Sequence, residues 1–179
     1  MGSRLSAALV CASLAAAVVL AGPARAQTPG THFNIAAGAS FPTGDFGLGT
    51  DVGYNVSAGI SLTQRASPLA FRAEGMYNEF NASGFSDKAR AAAITGNAVY
   101  DFSSGSIAPL STLYLIGGVG YYNTRDPFLT SETQSNIGWN VGGGFRFGLT
   151  GFSAYLEARF HTVSNTDVRF IPVTFGLLF

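Results

Sequence analysis

From Thr31 onward the chain alternates. Apolar residues recur at every second position over stretches of roughly ten residues, and each stretch ends in a cluster of Gly, Pro, Asn, Asp or Ser. Strand side chains point to opposite faces in turn, so a period of two predicts strands with one apolar and one more polar face. The last segment shows this most plainly. Ile171, Val173, Phe175, Leu177 and Phe179 share one face, while Phe170, Pro172, Thr174, Gly176 and Leu178 share the other.

Seven further segments precede it, and together they predict eight strands. Strand one covers His32 to Phe41, with Phe33, Ile35, Ala37, Ala39 and Phe41 on the apolar face; strand two covers Tyr54 to Thr63, with Tyr54, Val56, Ala58, Ile60 and Leu62. Strand three runs from Leu69 to Phe80 and sets Leu69, Phe71, Ala73, Gly75 and Tyr77 against Arg72, Glu74, Met76 and Asn78. Strand four runs from Ala91 to Phe102. Propensity alone would start a helix at Ala89 to Ala93, but the alternation that follows favours a strand. Strand five is Ser111 to Tyr122, and strand six, Ile137 to Phe147, alternates Ile137, Trp139, Val141, Gly143, Phe145 and Phe147 with Gly138, Asn140, Gly142, Gly144 and Arg146. Strand seven sets Phe152, Ala154, Leu156, Ala158 and Phe160 against Ser153, Tyr155, Glu157, Arg159 and His161.

An even number of strands of this length matches a small membrane barrel. A soluble eight-stranded barrel of the lipocalin kind is the rival, with the apolar face turned inward. Two features favour the membrane form. The second face is rich in Gly, Ser, Asn and Thr and poor in charge, a weak match to a wet surface. The aromatics of the apolar face also fall into two rings, one at Phe33, Phe71, Phe102, Phe147, Phe152 and Phe179, the other at Phe41, Tyr54, Tyr77, Tyr121, Trp139 and Phe160. Aromatic girdles at two membrane interfaces look like this. Short connections are expected after the even strands and longer ones after the odd strands, which puts both termini in the periplasm.

Composition agrees. The chain of 179 residues is 47% hydrophobic and only 11% charged, with 23 glycines and one lysine. An ordinary soluble surface needs about twice that charge, and no apolar run after residue 26 reaches the ~20 residues of a membrane helix. A closed barrel is the other way to satisfy every backbone group in lipid. At the N-terminus, Arg4, the apolar stretch Leu5 to Ala21 and Ala24-Arg25-Ala26 predict a secretory signal peptide cleaved before Gln27. Cys11 lies too close to Arg4 for a lipid-attachment site, and if it leaves with the signal the mature chain has no disulfide. The mature chain then has 8 basic and 10 acidic residues, a net charge of −2, which excludes a nucleic-acid footprint.

The segments Gly38-Ala39-Ser40-Phe41-Pro42-Thr43-Gly44-Asp45, Leu156-Glu157-Ala158-Arg159-Phe160-His161 and Phe170-Ile171-Pro172-Val173-Thr174-Phe175-Gly176 resemble recurring segments of the small outer-membrane β-barrels of the OmpX and OmpA transmembrane type. Their order and spacing carry the resemblance, which spans the whole mature chain. It implies an all-β, eight-stranded antiparallel up-and-down transmembrane barrel in the bacterial outer membrane. It also implies contact with membrane lipid and lipopolysaccharide, and insertion by the barrel-assembly machinery through the closing Phe175, Leu177 and Phe179. A monomer is expected, without cofactor or metal.

The face turned inward in such a barrel carries Arg72, Glu74, Asp101, Arg146, Glu157, Arg159 and His161. Three arginines balance three carboxylates, and an unpaired buried charge would cost several kcal/mol, so a salt-bridge plug is expected. A wet proton or ion path through the same residues is the alternative. His161-Thr162-Val163-Ser164-Asn165 is reminiscent of the His-x-Ser-Asn segment of PagL-type lipid A deacylases, but its spacing departs by one residue and sets His161 and Ser164 on opposite faces. No catalytic residue is assigned. His32 and His161 lie at opposite ends of the predicted barrel and make no metal pair. Gly142-Gly143-Gly144 lacks the Gly-Lys-Ser/Thr of a phosphate loop. The loops after the odd strands are the candidates for surface binding.

Overall fold

The computed structural model describes residues 30–63, 67–81, 88–102, 111–125 and 133–179. The predicted signal peptide, Cys11 and the middles of several predicted loops lie outside the described residues. Eight strands form: β1 (Thr31–Pro42), β2 (Gly53–Thr63), β3 (Leu69–Asn81), β4 (Lys88–Phe102), β5 (Ser111–Arg125), β6 (Gln134–Leu149), β7 (Phe152–Val163) and β8 (Arg169–Leu178). Each pairs with its neighbours in sequence, antiparallel, and β8 returns to β1 to close the barrel. The closing register runs from Asn34↔Leu178 to Pro42↔Phe170. Phe33 and Phe179 exchange both backbone hydrogen bonds, at 3.1 and 2.8 Å, and secure the last turn of the seam. A closed sheet has no edge, so its ladders satisfy backbone groups without water.

Alternation sorts the two faces as a membrane requires. Ile94 is 70% exposed, Ile137 68% and Phe175 58%, while Arg72, Glu74, Glu157 and His161 are almost fully buried. The apolar face is therefore the outside and the polar face the interior, the reverse of a lipocalin.

Several strands run further than the hydrophobic alternation predicts. β3 and β4 stay paired to Asn81↔Lys88, and β5 and β6 to Thr124↔Gln134. Backbone pairing needs no apolar side chain, so the ladder continues through residues that read as loop. Ala89 to Ala93 is strand, as the alternation indicates. The simple alternation of short and long connections does not hold. The connection after β4 covers 103–110, whereas the one after β7 covers only 164–168. The tightest turn, Thr150-Gly151, joins β6 to β7, with Gly151 at φ +89°, where a side chain would be strained.

Two consecutive pairs, Arg159↔Pro172 and Phe160↔Ile171, are missing from the β7–β8 ladder. The β7–β8 register runs from Ser153↔Leu178 to Ala158↔Val173 and resumes at His161↔Phe170. Because Phe179 bonds to Phe33 on β1, odd positions of β8 turn their backbone toward β1 and even positions toward β7. Pro172 thus faces Arg159 on β7, and proline has no N–H to give it.

Candidate functional site

The interior is layered, and the layers follow from which inward positions are charged, aromatic or small. At its centre four side chains meet, two from each of two strands. Arg72 and Glu74 come from β3, Glu157 and Arg159 from β7. Arg72 Nη1 lies 2.8 Å from Glu157 Oε2 and 3.9 Å from Glu74 Oε2; Arg159 Nε lies 2.8 Å from Glu157 Oε1, and Arg159 Nη2 bonds Glu74 Oε1. Two cations and two carboxylates alternate around a closed ring of contacts. Each charge has two opposite partners, the condition under which burying ions is tolerable. Neutral donors complete the set: the Tyr114 hydroxyl gives a hydrogen bond to Glu157 at 2.8 Å and Asn34 Nδ2 gives one to Glu74 at 3.2 Å.

Toward the end that carries the chain termini, Ala70, Val99, Tyr114, Ile116 and Tyr155 form an apolar layer. Arg72 lies over the Tyr155 ring at 5.2 Å. Arg146 lies over the Tyr114 ring at 5.1 Å and bonds Asp101 at 3.0 Å, nearer the mouth. Inward glycines make room for these rings. A side chain on Gly144 or Gly176 would collide with the tip of Tyr114 or Tyr155 respectively. Gly142 likewise lies against Arg159, so Gly142 and Gly144 serve packing.

Toward the far end the interior is closed by aromatics. A short 3-10 helix, Gly44–Leu48, sits in the β1–β2 connection and buries Phe46 in the mouth. Phe46 meets Phe80 edge-on at 5.3 Å, Phe80 meets Phe170 at 5.7 Å, and Phe170 stacks on the His161 ring at 5.0 Å with 4° between the planes. His161 Nδ1 is 2.8 Å from the Tyr122 hydroxyl. Ser164 lies beyond the end of β7, exposed, with its amide bonded to the Ile137 carbonyl at 2.9 Å, so His161 and Ser164 are not joined as a catalytic pair. Among the described residues no group of three or more His, Cys, Asp or Glu is placed to hold a metal ion.

All seven predicted interior residues therefore face inward, in three separate places: the central four, the Arg146–Asp101 pair, and His161 in the far-end plug. Phe175, Leu177 and Phe179 line the outer face of the closing segment. Of the predicted girdle, Phe41, Tyr54, Tyr121 and Trp139 are exposed, while Tyr77 and Phe160 are half-buried, Trp139 against Phe160 at 5.8 Å and Tyr54 against Tyr77 at 6.2 Å. Beyond the predicted cluster, Tyr114, Tyr122 and Tyr155 also line the interior, at positions whose inward parity was legible, whereas Phe46 lies in a loop without periodicity. A rim cluster lies outside the predicted set: Glu79 bonds Lys88 Nζ at 2.5 Å, Arg90 Nε at 3.2 Å and the Tyr77 hydroxyl at 2.9 Å.

A closed eight-stranded antiparallel barrel with an apolar exterior and an ion-paired interior is a transmembrane β-barrel by construction. The sequence places it further: residues 12–179 match the family described as "Outer membrane protein beta-barrel domain", and the chain belongs to that family, which points to the bacterial outer membrane. Solved structures share the fold at low identity. Neisserial surface protein A is 18% identical with a TM-score of 0.66, the match covering 83% of this chain and 95% of that one. OprG from Pseudomonas aeruginosa is 14% identical, TM-score 0.56, over 84% and 96%. Ail, the attachment invasion locus protein of Yersinia pestis, is 17% identical, TM-score 0.52, over 84% and 99%. No curated protein matches the chain significantly.

Proposed function

We propose that the protein is a non-enzymatic, monomeric outer-membrane barrel with a plugged interior, serving as an envelope scaffold that presents its far-end loops at the cell surface. Both termini then lie in the periplasm. Membrane lipid and lipopolysaccharide cover the apolar band, with Phe41, Tyr54, Tyr77, Tyr121, Trp139 and Phe160 at the outer interface. The closing Phe175, Leu177 and Phe179 serve as the insertion signal for the barrel-assembly machinery. One observation carries this reading: the central ion pairs and the Phe46–Phe80–Phe170 plug fill the interior in successive layers. An eight-stranded barrel has room for side chains or one small ligand, and here side chains occupy it.

Planar-bilayer conductance of refolded Gln27 to Phe179 tests the reading, with heat-modifiable gel mobility as the check on folding. Absence of steps above background is expected. Reproducible steps altered by Glu157→Gln would replace the scaffold with a narrow channel for ions or small solutes.

A further inference from the structure

Between the central ion pairs and the aromatic plug, three buried side chains each hold one polar atom without a hydrogen-bond partner in the protein: Asn140 Oδ1, Arg159 Nη1 and His161 Nε2. Asn140 stands directly opposite His161 across β6 and β7, and Arg159 is two residues along β7 on the same inward face. Their exposures are 2, 3 and 0%. The other polar atoms of these side chains are engaged. Asn140 Nδ2 donates to Asn97 Oδ1 at 2.8 Å, Arg159 Nη2 hydrogen-bonds Glu74 while Nε is ion-paired with Glu157, and His161 Nδ1 meets the Tyr122 hydroxyl at 2.8 Å. The unpaired atoms cannot simply turn to other partners, since the His161 ring is held flat against Phe170. Buried polar groups in folded proteins are almost always satisfied, and three in one patch point to a shared partner.

We propose that Asn140, Arg159 and His161 form a binding site for a single trapped water molecule that joins the ion-pair ring to the aromatic plug. The chemistry selects water. The charge of Arg159 is already matched by Glu74 and Glu157, so an anion gains no free cation, and a guanidinium beside the site repels a metal ion. An apolar group would leave all three atoms unsatisfied. A buried water commonly makes about three hydrogen bonds, and here each has a donor and an acceptor. The proposed site takes the tautomer with the ring proton on Nε2, in which His161 Nδ1 accepts from the Tyr122 O–H 2.8 Å away. Nε2–H and an Arg159 Nη1–H donate to the water oxygen, and the water donates to Asn140 Oδ1. The plug closes the site on one side and the Tyr114–Tyr155 layer on the other, so the water exchanges slowly.

The experiment is nitrogen-15 NMR on the protein as isolated from the membrane, carrying His32→Gln so that His161 is its only histidine. The expected spectrum has an unprotonated Nδ1, a protonated Nε2, and cross-relaxation from that proton to water with the sign of a long-lived bound molecule. Asn97→Ala removes the bond from Asn140 Nδ2 yet keeps Oδ1, and the water signal should survive it; Asn140→Leu should abolish it. A proton on Nδ1 instead of Nε2, no water signal in the His32→Gln protein, or an unchanged signal in Asn140→Leu would each overturn the proposal. The first two outcomes need no further variant, so a failure of Asn140→Leu to fold leaves the test intact.

Discussion

Arg72 Nη1 meets Glu157 Oε2 at 2.8 Å although 85 residues separate them along the chain. The contact spans the barrel from β3 to β7, and Glu157 is shared with Arg159. Replacing Glu157 with Leu leaves Arg72 and Arg159 facing each other with Glu74 alone between them. A loss of about 3–5 kcal/mol in unfolding free energy is expected, since the penalty falls on uncompensated buried charge. Urea titration in lipid vesicles, followed by gel mobility, measures it. Lys88→Ala at the rim is the control: its ammonium is half-exposed beside Glu79, and a change below about 1 kcal/mol is expected. Equal losses in the two variants would mean that the central ring contributes no more than a surface pair.

Among the described residues, Phe46 is the one aromatic of the plug supplied by a connection between strands. Phe46→Ala should loosen residues 43–52 and make them cleavable by external protease, while conductance stays at background because Phe80, Phe170 and His161 still close the bore. Channel steps in Phe46→Ala would show that the loop residue alone is the barrier.

Pro172 leaves the Arg159 carbonyl without its ladder donor. Pro172→Thr supplies an N–H at that position, and a net hydrogen bond contributes roughly 0.5–1.5 kcal/mol. Part of that gain is offset, because removing proline frees the unfolded chain. The sharper readout is hydrogen exchange: the new amide at position 172 should be protected like its strand neighbours. Rapid exchange there would mean that β7 and β8 are spread apart for a reason other than proline.

Glycines on the two faces should respond oppositely to a methyl group. Gly176→Ala drives a side chain into the Tyr155 ring, and overpacking of this kind costs about 1–3 kcal/mol. At Gly96, on the lipid face, an added Cβ meets nothing within 4 Å, so Gly96→Ala should be neutral or stabilising. Unfolding titrations of the pair decide it; equal destabilisation would refute the packing assignment.

The sequence by itself determined the strands, their number and which residue falls on which face, because a period of two is a local property of an extended chain. It also determined that the interior charges balance: Arg72, Arg146 and Arg159 against Glu74, Asp101 and Glu157. Which of them meet was decided only by closure, since the stagger between strands sets who stands opposite whom across the bore. Closure joins Arg72 to Glu157 and Arg159 to Glu74, and leaves Arg146 with Asp101 nearer the mouth. Strand ends were illegible for a different reason: Lys88 and Gln134 pair through backbone groups that every residue carries. Phe46 could be read least of all, because a loop has no period, and its burial exists only once β3 and β8 have brought Phe80 and Phe170 together beneath it.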